Sequence, residues 1–183
     1  DFLLLTHAHL DHCGRIPLLV KRGFRGEIVC TAATRELARI VLADAASLQE
    51  SEARQRAKYA HRNGDEPMQA LYTLDDAFHA MDYFTRSVAY DRPFALGDGV
   101  RACYIDAGHM LGSASIVLDL DEHGRHCRVV FSGDIGNPGR PLLRAPTPPP
   151  TADHVVIEST YGDRDHRPMP DSVLELQEAI VEA

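Results

Sequence analysis

No stretch of this chain is apolar for the ~18 to 20 residues needed to cross a bilayer, and no charged-then-apolar leader with a cleavage site opens it. The cysteines Cys13, Cys30, Cys103 and Cys127 form no CxxC pair. That argues against a zinc knuckle and a disulfide framework, and leaves reduced, mostly buried thiols. Positive charge is scarce as well, with 19 Lys and Arg against 27 Asp and Glu and a net charge of −8. Nonspecific nucleic-acid binding by this segment alone is therefore disfavoured, and such a substrate would need a local basic surface or another domain. A soluble, cytoplasmic protein with no membrane partner is expected. The 183 residues, 44% hydrophobic and 25% charged, suit one globular domain with a proper core. The chain begins with Asp1 and ends inside an expected helix, so a fragment of a longer protein is expected too.

"FLLL" at residues 2–5 reads as a buried strand stopping at Thr6, "GRIPLLVKRG" as a helix and "EIVC" as the next strand. From Thr34 a stretch rich in Ala, Leu, Glu and Arg favours helix, with Leu37, Ile40, Val41, Ala45 and Leu48 at helical spacing, until "HRNGDEP" breaks it. "LYTLDDAFHAMDYF" restarts a helix capped by Thr73, with Leu74, Phe78, Met81 and Phe84 as its apolar face. "VRACYIDA", "ASIVLDL" and "CRVVFSG" then predict three successive antiparallel strands. The proline-dense "NPGRPLLRAPTPPPTAD" reads as an ordered surface loop, "HVVIEST" as a strand, and a helix begins near Pro170. The sum is a mixed α/β layered fold.

"THAHLDHCG" concentrates His7, His9, Asp11 and His12 where the first strand ends. His7 and His9, two apart, share one side of an extended backbone, and a turn can aim Asp11 and His12 at a neighbouring point. Imidazole nitrogen and carboxylate oxygen suit a borderline divalent ion such as zinc, although a solvated histidine-rich loop is the plainer explanation for an arbitrary pair. "DAGHMLGSAS" adds His109, with Gly112 and Ser113 expected to let its loop pass close to the metals. "VVFSGDIGN" adds Asp134, a carboxylate suited to bridge two cations about 3.5 to 4 Å apart. Cys13 reads as a small buried packing residue, and His61, His79, His123, His126, His154 and His166 as exposed or locally hydrogen-bonded.

"THAHLDHCG", "GHMLGSAS" and "SGDIGN" together resemble the metallo-β-lactamase superfamily, and "ESTYGDR" at 158–164 looks like its β-CASP branch of RNA-processing exonucleases and endonucleases. The "LYTLDDAFHAMDYF" stretch is similar to those proteins as well, so the resemblance spans almost the whole chain. It implies an αββα sandwich, partial here, with residues 1–183 lacking the first strands and ending about where a β-CASP domain would be inserted. It implies two zinc ions, with Mn²⁺ or Fe²⁺ as substitutes: His7, His9 and His109 on one, Asp11 and His12 on the other, and Asp134 bridging. Glu158 is implied to be a carboxylate that hydrogen-bonds a catalytic histidine of the completed protein.

The implied reaction is hydrolysis of RNA phosphodiester bonds. Zinc lowers the pKa of a bound water toward ~7, and Asp11 orients the resulting hydroxide. The family's first aspartate motif lies upstream of this segment, and its remaining metal-binding and general-acid histidines lie downstream. By this reading the segment alone holds an incomplete site. RNA is the implied substrate, with a homodimer or an RNA-processing complex as the assembly. Hydrolysis of a small ester, thioester or lactam, and a noncatalytic scaffold subunit, stay open at this point.

Overall fold

The computed structural model describes residues 1–63, 69–165 and 167–182, without the side chains of 59–63. The break expected at "HRNGDEP" falls largely outside the described residues, as do His166 and the side chain of His61. No helix among the described residues is long and apolar enough to cross a membrane.

Two sheets face each other. The first is parallel, β1 (Phe2–Leu4), β2 (Glu27–Thr31) and β3 (Arg86–Val88), in that order. The second runs β4 (Phe94–Gly97), β5 (Val100–Asp106), β6 (Ala114–Glu122), β7 (Arg125–Phe131) and β8 (His154–Val156). β4 to β7 are antiparallel, so the three expected hairpin-linked strands are present, and β8 adds in parallel to β7. The period-2 pleat of the second sheet sorts its side chains onto two faces. Tyr104, Ala114 and Ile116 turn toward Val29 of the first sheet, and the buried Tyr104 hydroxyl donates to the Val29 carbonyl at 2.8 Å. Ile105, Val117 and Val130 turn the other way, where Ala152 packs against them. The proline segment lies over that outer face as an ordered loop. Its Thr147 N–H donates to the Asp106 carbonyl at 2.8 Å, and Pro146, Pro148 and Pro149 line a groove beside Val130.

A helical layer covers the first sheet: α1 (Leu10–Cys13), α2 (Ile16–Lys21), α3 (Ala32–Asn63) and α4 (Leu74–Met81). Its core holds Leu5, Ile28 and Cys30 from the sheet with Ala38, Leu42, Ala46, Ala77 and Ala80 from the helices. Thr73 caps α4 as expected: its hydroxyl accepts from Asp76 N–H at 3.2 Å while Asp76 accepts from Thr73 N–H at 2.8 Å. The expected helix faces need correction. Ile40, Leu48 and Phe78 are exposed at 66%, 58% and 47%, because α3 and α4 approach their neighbours through alanines. The last helix, α5 (Met169–Glu182), buries none of its residues, so the described residues form three packed layers, consistent with the partial sandwich expected.

Candidate metal centre

Three loops deliver the polar cluster, each from a strand end. After β1 the chain stays tied to the sheets, Leu5 N–H donating to the Val29 carbonyl (2.9 Å) and the Thr6 carbonyl accepting from Ala114 N–H (2.9 Å). His7 is thereby fully buried. His9 then sits at the N-cap of the one-turn helix α1, its carbonyl accepting from His12 and Cys13 N–H at 3.0 Å each. The turn that follows sends His12 back toward His7. Cys13, fully buried, anchors the turn through a 3.4 Å contact of its thiol to the Ala8 carbonyl, which agrees with its expected packing role. Burial pushes this thiol up to about 11.

The His109 loop closes on Ser113, whose Oγ accepts from the N–H groups of His109 (3.0 Å) and Met110 (3.1 Å). Tyr90 Oη donates to the Ser113 carbonyl at 2.9 Å, and the Thr31 and Thr34 hydroxyls donate to the Gly112 carbonyl at 2.8 Å. Gly112, at φ +83°, is pressed against Thr31 and Thr34. Gly112 thus pins the loop to the end of β2 and the start of α3, a close approach that requires the glycine, while Ser113 closes the loop on itself. These threonines and Tyr90 carried no sequence signal, since their partners lie tens of residues away.

Asp134 follows β7 and is held from both sides. Gly136 N–H donates to the Ala107 carbonyl at 2.8 Å, bringing the Asp134 turn against the His109 loop. Glu158 reaches over from the end of β8, its Oε1 accepting from Ile135 N–H at 2.6 Å, and its own N–H donates to Ser132 Oγ at 3.1 Å. Here Glu158 acts on the backbone of the Asp134 turn.

His7, His9, His109 and Asp134 each aim one ligand atom into the same space, all within 4.8 Å of one another. His9 Nδ1 lies 3.2 Å from His7 Nε2 and 3.0 Å from His109 Nε2, and Asp134 Oδ2 lies 3.6 Å and 3.5 Å from those two nitrogens. Donors at ~2.0 to 2.1 Å from a tetrahedral ion stand about 3.3 to 3.4 Å apart, and these separations straddle that value. Three ring nitrogens and a carboxylate oxygen converging this closely fit a divalent cation. Thr6 Oγ1, 3.1 Å from His7 Nδ1, is placed to fix the tautomer that leaves Nε2 as the donor atom.

Asp134 has a second face. Its Oδ1 lies 3.2 Å from His12 Nε2, which is 3.5 Å from Asp11 Oδ2. Asp11 itself is open to solvent, its side chain 77% exposed in the first turn of α1, and it stands outside the four-residue group. Burial, reinforced by the neighbouring histidines, lowers His7 to about 3; burial and His9 lower His109 as well. Both shifts favour the neutral imidazole, the form that ligates metal. His79, His123, His126 and His154 lie on the surface, away from this cluster.

A fold of two facing sheets with histidine and aspartate loops at their strand ends defines a metal-site protein. Residues 1–166 match the metallo-beta-lactamase superfamily, and the chain belongs to it. Ribonuclease TTHA0252 of Thermus thermophilus is 36% identical over 98% of this chain, and cleavage and polyadenylation specificity factor 73 of Drosophila melanogaster is 31% identical over 93%. The chain spans 36% and 22% of the length of these two relatives. Among solved structures, the FEZ-1 metallo-beta-lactamase of Legionella gormanii is similar over 78% of this chain and 45% of its own, at 23% identity and a TM-score of 0.39.

Proposed function

We propose that this chain carries the metal-binding part of a zinc-dependent ribonuclease of the β-CASP branch, within a longer protein that supplies the β-CASP domain and the remaining histidines. The observation that carries the two-cation form of this reading is Asp134, whose Oδ2 faces His7 and His109 while its Oδ1 faces His12. His7, His9, His109 and Asp134 Oδ2 would hold one cation, and Asp134 Oδ1, His12 and Asp11 the other. Bound there, the cations supply Lewis acidity and a water nucleophile at neutral pH.

The chain's own groups do the positioning. The buried, Thr6-oriented His7 fixes the floor of the site. Glu158 and Gly136 hold the Asp134 turn from two sides. Asp11, at the open rim beside His12, would hold the second cation and accept a hydrogen bond from its water. The names of the two relatives support RNA as substrate. Four free thiols support a reducing, cytoplasmic setting. Action as a homodimer or within an RNA-processing complex belongs to the same proposal, supported by the polyadenylation factor among the relatives.

The test is metal analysis of the purified natural-length protein together with cleavage of end-labelled RNA, with and without chelator, for wild type, Asp134→Asn and His109→Ala. About two zinc ions per chain and chelator-sensitive cleavage lost in both variants are expected. Cleavage by a metal-free protein, or undiminished cleavage by both variants, overturns the reading.

A further inference from the structure

Beside the metal-ligand group lies a cavity of about 280 Å³, lined by His109, Asp134 and Glu158 together with Asn137, Arg140 and Tyr161. Any molecule filling it touches two of the four ligand residues and so sits next to the reacting atoms. Its carboxylates repel a phosphodiester, and Arg140 is the only Lys or Arg among the described residues that line it.

Among the arginines of the second half of the chain, several are held by carboxylates. Arg164 pairs with Asp163, Arg167 with Glu175 and Arg128 with Asp119, whereas no described carboxylate pairs with Arg140. An unpaired, exposed guanidinium at a cavity mouth in a chain of net charge −8 is suited to an incoming anion. A second depression, of about 320 Å³, adjoins the first and shares Asn137 and Arg140 with it, with Arg167 and Met169 farther along. The turn from Asn137 to Arg140 is therefore a ridge between two hollows. A strand that alternates nucleoside and phosphate matches that relief, its phosphate on the ridge and a nucleoside in each hollow.

We propose that Arg140 binds a backbone phosphate of single-stranded RNA one step from the scissile bond, so that the strand leaves the metal centre over the Asn137–Arg140 turn toward Arg167. This rests on the ribonuclease reading above and adds a path and a contact to it. Arg140 is a binding residue on this account and touches a phosphate other than the scissile one, so its loss falls on substrate capture and on salt dependence.

The experiment is steady-state cleavage of an unstructured RNA by the natural-length, metal-loaded protein at several salt concentrations, for wild type, Arg140→Gln and Arg140→Lys. Arg140→Gln should raise KM about tenfold, with the effect on KM exceeding that on kcat. It should also flatten the dependence of log KM on log salt by about 0.7, the value for one phosphate contact on a single strand. Arg140→Lys, which keeps the charge and loses the planar fork, should recover the salt slope and part of the KM. Both variants alter an exposed side chain, and zinc content checks that the site is intact. Unchanged KM and salt slope in Arg140→Gln, with an active wild type, overturn the proposal and leave the ribonuclease reading standing. A wild type that neither binds nor cleaves RNA sinks that reading first and the proposal with it.

Discussion

Gly136→Ala tests whether loop contact, apart from the ligands themselves, sets the metal centre. A Cβ built at Gly136 overlaps the Gly108 carbonyl and stands 2.6 Å from the His109 nitrogen, both backbone atoms with no side-chain freedom to yield. To reach an ordinary contact of 3.4 Å the His109 nitrogen must retreat by about 0.8 Å and the overlapping Gly108 carbonyl by about twice as much. The Gly136 N–H bond to the Ala107 carbonyl, now 2.8 Å, would stretch with it, and so would the 3.5 Å approach of His109 Nε2 to Asp134 Oδ2. Metal sites tolerate displacements of roughly 0.5 Å, and loss of supporting contacts costs about 10- to 100-fold in metal affinity. We therefore expect zinc affinity to fall by that factor, about 1.4 to 2.8 kcal/mol. The assay is competition with a chromogenic chelator, with circular dichroism to confirm the fold. Gly97→Ala, whose Cβ would meet nothing within 4 Å, serves as the control and should bind zinc as wild type does. A folded Gly136→Ala protein with wild-type zinc affinity refutes the reasoning, since the Asp134 turn would then be placed independently of the His109 loop.

Thr73→Ala removes the hydroxyl half of the α4 capping box and should cost about 1 kcal/mol, lowering Tm by roughly 2 to 4 °C in a chain of this size; an unchanged melting curve would show the cap to be energetically idle. Asp76, in the same box, is held below the usual carboxylate range first by the hydrogen bond from Lys21 Nζ at 2.7 Å and then by Thr73 N–H. Its contribution is thus present above the ordinary carboxylate pKa near 4 and disappears as pH falls through the lowered folded-state value. Denaturant titrations of Lys21→Met should therefore show a weaker loss of stability on acidification than wild type, and equal slopes would contradict the pairing. Cys13, buried with its thiol raised to about 11, should resist a thiol reagent at pH 8 in the folded protein, while the partly exposed Cys127 reacts; mass spectrometry of labelled peptides distinguishes them. Prompt labelling of Cys13 would mean that the α1 turn opens readily.

The sequence was most legible where chemistry constrains residue type over a short span. His7 and His9 could be read as a pair, with His12 aimed at a neighbouring point, because a strand end followed by a single helical turn leaves little freedom in direction. The helix faces were less legible, because large apolar side chains dominate any periodicity and the packing here is made by small ones. Ala38, Leu42 and Ala46 form the buried stripe of α3, while Ile40, two residues from Ala38 and so far around the helix from it, faces solvent. The short β3, only Arg86, Ser87 and Val88, has no alternation to detect and exists because Val29 to Thr31 offer it a parallel edge. Long-range partners were illegible for a related reason. Nothing near Thr31 or Thr34 announces that their hydroxyls will meet a carbonyl about eighty residues later, yet that meeting pins the loop bearing His109. Ligand identity was thus written locally, in runs such as "HAHLDH", whereas ligand placement depends on hydroxyls, a tyrosine and two glycines scattered from residue 31 to residue 136. This division predicts where substitutions will do hidden damage. Changes at Thr31, Thr34, Tyr90 or Gly136 leave every ligand in the sequence and still move the ligands in space.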